Sequence, residues 1–189
     1  MLLQEVQADL AAWGLPSHSS ACGDAHVLLP KGWSGKTRGA KQDVGWSAVW
    51  VEDVAFFSFH LPWVRSGETV EKCRVMLEQM RDCYRRWCRV GRPPQHCVAG
   101  GDINVQLPPR LEGLTGGRMH APPKPGTLRQ LQTEHIVCWM IELGLRAVST
   151  FYNAGSYPDD GQRWTFAQGK KGAGSSTTSS WMRCFTAAG

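Results

Sequence analysis

The sequence predicts an α/β fold, and two observations carry that expectation. Four short apolar runs with strand character stand at 26–29, 46–51, 54–60 and 97–100, and two longer segments repeat apolar residues at helical spacing. The strand and helix segments alternate along the chain. The first three runs precede a long helix, the fourth follows it, and a second helix comes later.

The runs at 26–29, 46–51 and 54–60 are brief and apolar, and the third ends at His60-Leu61-Pro62, where the proline closes a strand. The first helix spans about 67–89. Val70, Cys73, Leu77, Met80, Tyr84 and Trp87 fall three and four apart along it, which makes one buried stripe. Glu68 and Glu71 stand in its first turn and arginines in its last, as the helix dipole favours. The run at 97–100 ends in two glycines. The second helix spans about 127–143, with Leu128, Leu131, Ile136, Trp139, Met140 and Leu143 as its apolar positions and Gly144 as its C-terminal stop. His135 on this helix reads as a structural or surface histidine. A Pro/Gly-rich loop, 105–126, joins the fourth run to this helix, and loops of that length are often functional. The Gly/Ser/Thr-rich stretch from 169 onward has the composition of a disordered tail, so the organised domain is expected over 1–168.

The most chemically informative stretch is Cys97-Val98-Ala99-Gly100-Gly101-Asp102-Ile103-Asn104. Alternate residues of an extended segment share a face, so Asp102 and Asn104 are expected to enter one pocket at a strand end. The glycines admit a substrate or a neighbouring backbone at close range. A carboxylate there can take a proton from water, and a carboxamide can fix an oxygen by hydrogen bonding; together they suit phosphate chemistry. A plain Gly-Asp turn after a buried strand is the structural alternative.

Two further segments agree with the chemical reading. Leu2-Leu3-Gln4-Glu5-Val6 places a glutamate after an apolar pair, and Val54 to Pro62 ends a buried strand in a histidine. In this order, the three segments resemble the endonuclease/exonuclease/phosphatase superfamily, which includes deoxyribonuclease I-like enzymes and the endonuclease domains of retrotransposons. The late runs Gly144-Leu145 to Thr150-Phe151 and Arg163-Trp164-Thr165-Phe166 look like further family elements, so the resemblance extends from about residue 2 to about 182. It implies a layered α/β sandwich, two β-sheets packed face to face and flanked by helices. It also implies Mg²⁺, or Mn²⁺ in its place, held by Glu5. His60 would contact the scissile phosphate, Asp102 would orient or deprotonate water, and Asn104 would hold the nucleophile or the phosphate. Because the segment after Gly-Asp-x-Asn lies near the substrate in this superfamily, Arg110 and Arg118 are candidate contacts. Trp63, just past the histidine, is a candidate for stacking on a base or sugar, with core packing as the alternative.

The resemblance stops short at both ends. The family's first strand, which bears a metal-binding asparagine, has no counterpart, so the sandwich is expected to be incomplete at both termini. Ser180 and Trp181 stand where an aspartate and a tyrosine are expected, and no histidine follows His135. The catalytic set is therefore expected to be incomplete and turnover absent or feeble. The alternatives are a remnant that binds nucleic acid or protein, and a phosphatase or phospholipase of the same superfamily.

Charge and composition narrow the partners. A formal net charge of +5 suits a polyanion, and nucleic acid, DNA or RNA, is the expected partner. Lys31, Lys36, Arg38 and Lys41 gather in one stretch expected to be a mobile loop, with Trp33 available for stacking; Arg85, Arg86, Arg89 and Arg92 gather at a helix end. Seven scattered cysteines lack paired metal spacing and read as reduced, small hydrophobes, which points to cytoplasm or nucleus. No apolar run is long enough to span a membrane, and the start lacks a secretory signal's pattern. Most of the nine tryptophans are expected in the core.

Overall fold

In the computed structural model, residues 2–4, 14, 16–108, 110–112, 114–115 and 122–147 are described. They form two β-sheets packed face to face, with two helices against the outer face of the larger one. The smaller sheet has β1 (Leu2–Gln4), β2 (Ser17–Ser19) and β3 (Ala25–Leu28), in the order β1-β3-β2 and antiparallel throughout. The larger has β4 (Thr37–Asp43), β5 (Trp46–Val51), β6 (Val54–His60) and β7 (His96–Asp102), in that order. Its first three strands form an antiparallel meander, and β7 lies parallel to β6. A parallel neighbour needs a crossover, and α1 (Gly67–Cys88) supplies it. The second helix, α2 (Leu128–Glu142), packs beside α1.

Side-chain alternation sorts the larger sheet into two cores. Trp46, Ala48, Ala55, Phe57, Phe59, Cys97 and Ala99 point towards the helices and meet Cys73, Leu77, Met80, Ile136, Trp139 and Met140. Val49, Val51 and Phe56 point the other way and meet Val27 and Leu29 of the smaller sheet's side. The helix-side core is aromatic. Phe57 lies with its ring centroid 6.3 Å from Trp46, 5.8 Å from Trp87 and 6.4 Å from Tyr84, and Phe59 stands edge-on to Trp139 at 5.7 Å.

The strands and helices expected from periodicity are present with ends shifted by one or two residues. The helix at 67–89 ends at Cys88. Its start is set by Ser66, whose hydroxyl accepts from the Thr69 amide, while the Thr69 hydroxyl accepts from the Ser66 amide. The helix at 127–143 runs over Leu128–Glu142, because Thr127 is its N-cap, accepting from the Gln130 amide. Gly144 follows with a φ of +63°, the left-handed stop that favours glycine.

Two stretches depart from the sequence expectation: β2, short and polar, stands outside the four apolar runs, and the cationic stretch changes more. The cationic segment read as a mobile loop holds a short 3-10 turn, Ser34–Lys36, followed by the edge strand β4. Its polar residues hid it, because β4 is solvated on much of its length and gains order from pairing with β5, residue for residue from Gly39 to Asp43. The reversal between them needs only Val44 and Gly45, and Gly45 takes a φ of +77°. Trp33 is not offered for stacking either; its ring packs 6.4 Å from Phe56 in the inter-sheet core.

No described helix is long and apolar enough to cross a membrane. Cys73, Cys83 and Cys97 are buried core residues, Cys22, Cys88 and Cys138 are exposed, and all six carry free thiols. Burial pushes the Cys73 thiol up to about 12, and that of Cys83 to about 11 against the pull of Arg86 and Lys41. In a Cys184→Ser variant at pH 8, a disulfide reagent is therefore expected to label Cys22, Cys88 and Cys138 quickly and the buried three only after denaturation. Fast labelling of Cys73 or Cys83 in the native protein would contradict this packing.

Candidate functional site

The parallel pairing of β6 and β7 builds the site. In that register His60 stands opposite Asp102, each the last residue of its strand. By alternation both lie on the sheet face that looks towards the smaller sheet, since Phe57, Phe59, Cys97 and Ala99 take the other side. The strands come this close because of Gly101. A Cβ there would stand 2.1 Å from the Phe59 carbonyl oxygen and 2.4 Å from its ring, so only glycine fits. The expectation that a glycine admits a neighbouring backbone is met at this position.

Asn104 reaches the site by a different route from strand alternation. The strand ends at Asp102, and the chain then turns, with Asn104 at a φ of +51°, a region that asparagine tolerates. The Asn104 amide donates to the Asp102 carboxylate at 2.9 Å, and its side-chain Nδ2 donates to the Leu61 carbonyl at 2.7 Å. The Leu61 amide in turn donates to the Asp102 carbonyl at 2.8 Å. These bonds lock the loop after β6 to the loop after β7.

Two residues that sequence reasoning passed over complete the arrangement. Asp24, just before β3, brings its Oδ2 to 3.7 Å from His60 Nδ1, an ion-pair distance when the ring is protonated. Its other oxygen accepts from the Ser20 hydroxyl at 2.7 Å and the Cys22 thiol at 2.8 Å, which fixes the carboxylate. Gln132 of α2, fully buried, donates to the carbonyls of Pro62 at 3.1 Å and Ile103 at 3.4 Å. It clamps the same two loops from beneath. A polar residue in the buried stripe of a helix was the available sign of Gln132; Asp24 left none, because its partner is 36 positions away in sequence.

Around these groups opens a cleft of about 780 Å³. Asp24, Asp43, His60, Asp102 and Asn104 form its polar end. Val44, Leu61, Pro62, Trp63, Val75 and Met76 form an apolar wall. Glu68, Glu71, Lys72 and Arg65 rim it from the start of α1 and the segment leading into it. A hydrogen bond from Lys72 holds the Glu68 carboxyl below the usual range, and one from Arg74 does the same for Glu71. Both are ionised at neutral pH, so acids outnumber bases along the lining.

The remaining expected residues are distributed unevenly. Trp63 is 37 % exposed on the cleft wall and outside the core, and the Arg129 guanidinium lies 5.8 Å from its ring centre. Arg110 is exposed, has a φ of +57°, and does not line the cleft. Glu5 and Arg118 lie outside the described residues, as do Thr150-Phe151, Arg163 to Phe166, Ser180, Trp181 and the tail from 169. Gln4, which precedes Glu5, pairs with Ala25, the neighbour of Asp24, so β1 ends on the cleft side of its sheet.

Among the described residues no three histidine, cysteine, aspartate or glutamate side chains come close enough together to hold a metal ion. Asp24 and Asp102 offer hard carboxylate oxygens of the kind Mg²⁺ prefers, but they do not make a ligand set by themselves. No model of a known protein family matches the chain, and no curated protein matches it either.

Proposed function

We propose that the cleft hydrolyses phosphate esters, as a phosphodiesterase of nuclease type in the endonuclease/exonuclease/phosphatase superfamily that the sequence resembles. The observation that carries this reading is the pairing of His60 with Asp102 at the ends of two parallel strands, with Asp24 behind the imidazole. His60 would hydrogen-bond a phosphate oxygen or hold a proton, while Asp24 orients the ring and balances its charge when protonated. Asp102, held by the Asn104 amide, would orient the attacking water and take its proton. Asn104 spends one of its two side-chain N–H groups on Leu61, which fixes the carboxamide on the cleft lining, and its other N–H and its oxygen would hold the nucleophile or the phosphate.

A divalent cation belongs to this proposal on charge alone. An acid-rich lining repels a bare phosphate, and a cation such as Mg²⁺ would offset that repulsion and stabilise negative charge on the ester. Glu5 is its proposed ligand. The expected partner is nucleic acid, and the reduced cysteines fit cytoplasm or nucleus.

The apolar wall supports a second reading. Val44, Pro62, Trp63, Val75 and Met76 beside the polar end suit a phosphate ester with an apolar portion, as a phospholipase or small-molecule phosphatase would take. A substrate panel separates the two: plasmid DNA, single-stranded RNA, sphingomyelin and inositol phosphates, each with Mg²⁺ and with EDTA. Slow, EDTA-sensitive scission of nucleic acid is expected. Turnover confined to the lipid or inositol substrates would establish the second reading, and no turnover by folded protein would overturn hydrolysis.

A further inference from the structure

The two cationic stretches that lie 44 or more positions apart in sequence meet in the fold. β4 is the edge of the larger sheet, and the last turns of α1 pack against it. At Gly39 the approach is so close that a Cβ would stand 2.9 Å from Trp87 Nε1. Trp87 continues onto Trp50 at 6.1 Å between ring centres, and the Arg38 guanidinium sits 5.8 Å over the Trp50 ring. Lys41 of β4 and Arg86 of α1 both bear on the thiol of Cys83. Arg38, Lys41 and Arg86 therefore border one surface, and Arg85, Arg89 and Arg92 extend it around the helix end.

Among the described residues the surface is open and strongly basic. All six cations are exposed, and none forms an ion pair with another described residue. Of the acids nearby, Asp82 is engaged by Arg81 and Glu52 pairs with Lys36 at 2.7 Å. Three cations past the middle of α1's final turns exceed what the helix dipole alone requires. The surface borders the far edge of the cleft: Arg85 lies about 9 Å along α1 from the cleft residue Gln79, at about 1.5 Å of rise per residue, and Lys41 stands two residues from Asp43 on β4.

We infer that this face, β4 together with the C-terminal end of α1, is a second binding surface whose partner is the phosphate backbone of a nucleic-acid duplex. Five of the six cations are arginines, whose planar guanidinium matches phosphate oxygens two at a time. The aromatic rings of this face are packed: Trp50 is 3 % exposed and Trp87 lies against Gly39. Among the described residues no exposed ring stands out on this face to stack unpaired bases, which favours a duplex over a single strand. Val90 is the sole large apolar side chain exposed near these arginines among the described residues, so a lipid surface would find little to anchor. The inference does not need the cleft to be catalytic. A duplex held here would run alongside the cleft, so this face would tether the protein to its polyanion independently of the groups at the ends of β6 and β7.

The test is fluorescence anisotropy with a labelled duplex DNA of about two helical turns, in EDTA so that hydrolysis plays no part. With about four phosphates engaged, affinity is expected to fall about 50-fold between 50 and 150 mM salt. Arg85→Gln/Arg86→Gln/Arg89→Gln should weaken binding about 30-fold or more and lower the salt slope by about 2.7. These exposed positions keep a good helix former, and an unchanged Tm verifies folding. A separate Lys41→Gln variant should weaken binding several-fold from the strand side. Wild-type affinity in both patch variants would overturn the inference, as would tighter binding to a single strand of equal length or to phosphatidylserine vesicles. Loss of hydrolysis with duplex binding intact would count against the cleft and leave this surface standing.

Discussion

Gly101→Ala is expected to destabilise the fold by about 3 kcal/mol or more, the top of the range for overpacked cores, and so lower the Tm by about 6–12 °C. The obstacle to a methyl group is the Phe59 carbonyl oxygen, 2.1 Å from where the Cβ would stand. A backbone atom inside a parallel strand pair cannot step aside as a flexible side chain can. The bonded register from Val54↔His96 to His60↔Asp102 must stretch instead. Gly91→Ala is the control, because a Cβ there meets nothing within 4 Å, and a change within about 0.5 kcal/mol is expected. Thermal unfolding followed by circular dichroism measures both. Equal melting temperatures for the two variants would mean that β6 and β7 are not held as described. Any Gly101→Ala protein that does fold should also lose activity, since the same strand contact sets the spacing of His60 and Asp102.

His60→Ala is expected to reduce any phosphoester turnover by about 100-fold or more, the usual cost of a proton-handling group. Asp24→Asn should cost less, about tenfold, because the carboxamide keeps the shape and the hydrogen bonds to Ser20 and loses only the charge beside the ring. The double variant should be no slower than His60→Ala alone. Residues that act through one another are not additive, and Asp24 would act chiefly by orienting the imidazole. Rate constants measured on the best substrate of the panel decide the point. Additive losses would show that Asp24 acts independently of His60.

Much of this arrangement was legible in the sequence because it rests on strong local periodicity. The runs that became β5, β6 and β7 and the stripe on α1 are dense in buried apolar residues, and Ser66 and Thr127 mark the helix starts in the chain itself. The meeting of His60 and Asp102 followed from their order and from a family resemblance; their exact opposition comes from parallel pairing, which no local pattern encodes. β4 escaped notice because an edge strand can be polar at nearly every position and still be held by its neighbour. Asp24 and Gln132 escaped for a related reason: each acts across the fold, Asp24 on a histidine of the other sheet and Gln132 on two loop carbonyls. The two cationic stretches were visible one at a time. Their union depends on Gly39 admitting the Trp87 ring, a packing fact.

The most direct test of the site compares the chain with its Asp102→Asn variant on plasmid DNA and single-stranded RNA in Mg²⁺, both proteins having first been shown to melt cooperatively. The substitution keeps the side chain's shape and an oxygen for the Asn104 amide while removing the carboxylate. Slow, EDTA-sensitive cleavage by the parent that falls about 100-fold or more in Asp102→Asn is the expected result. Cleavage that persists undiminished in the variant would contradict the placement of phosphoester chemistry at the ends of β6 and β7.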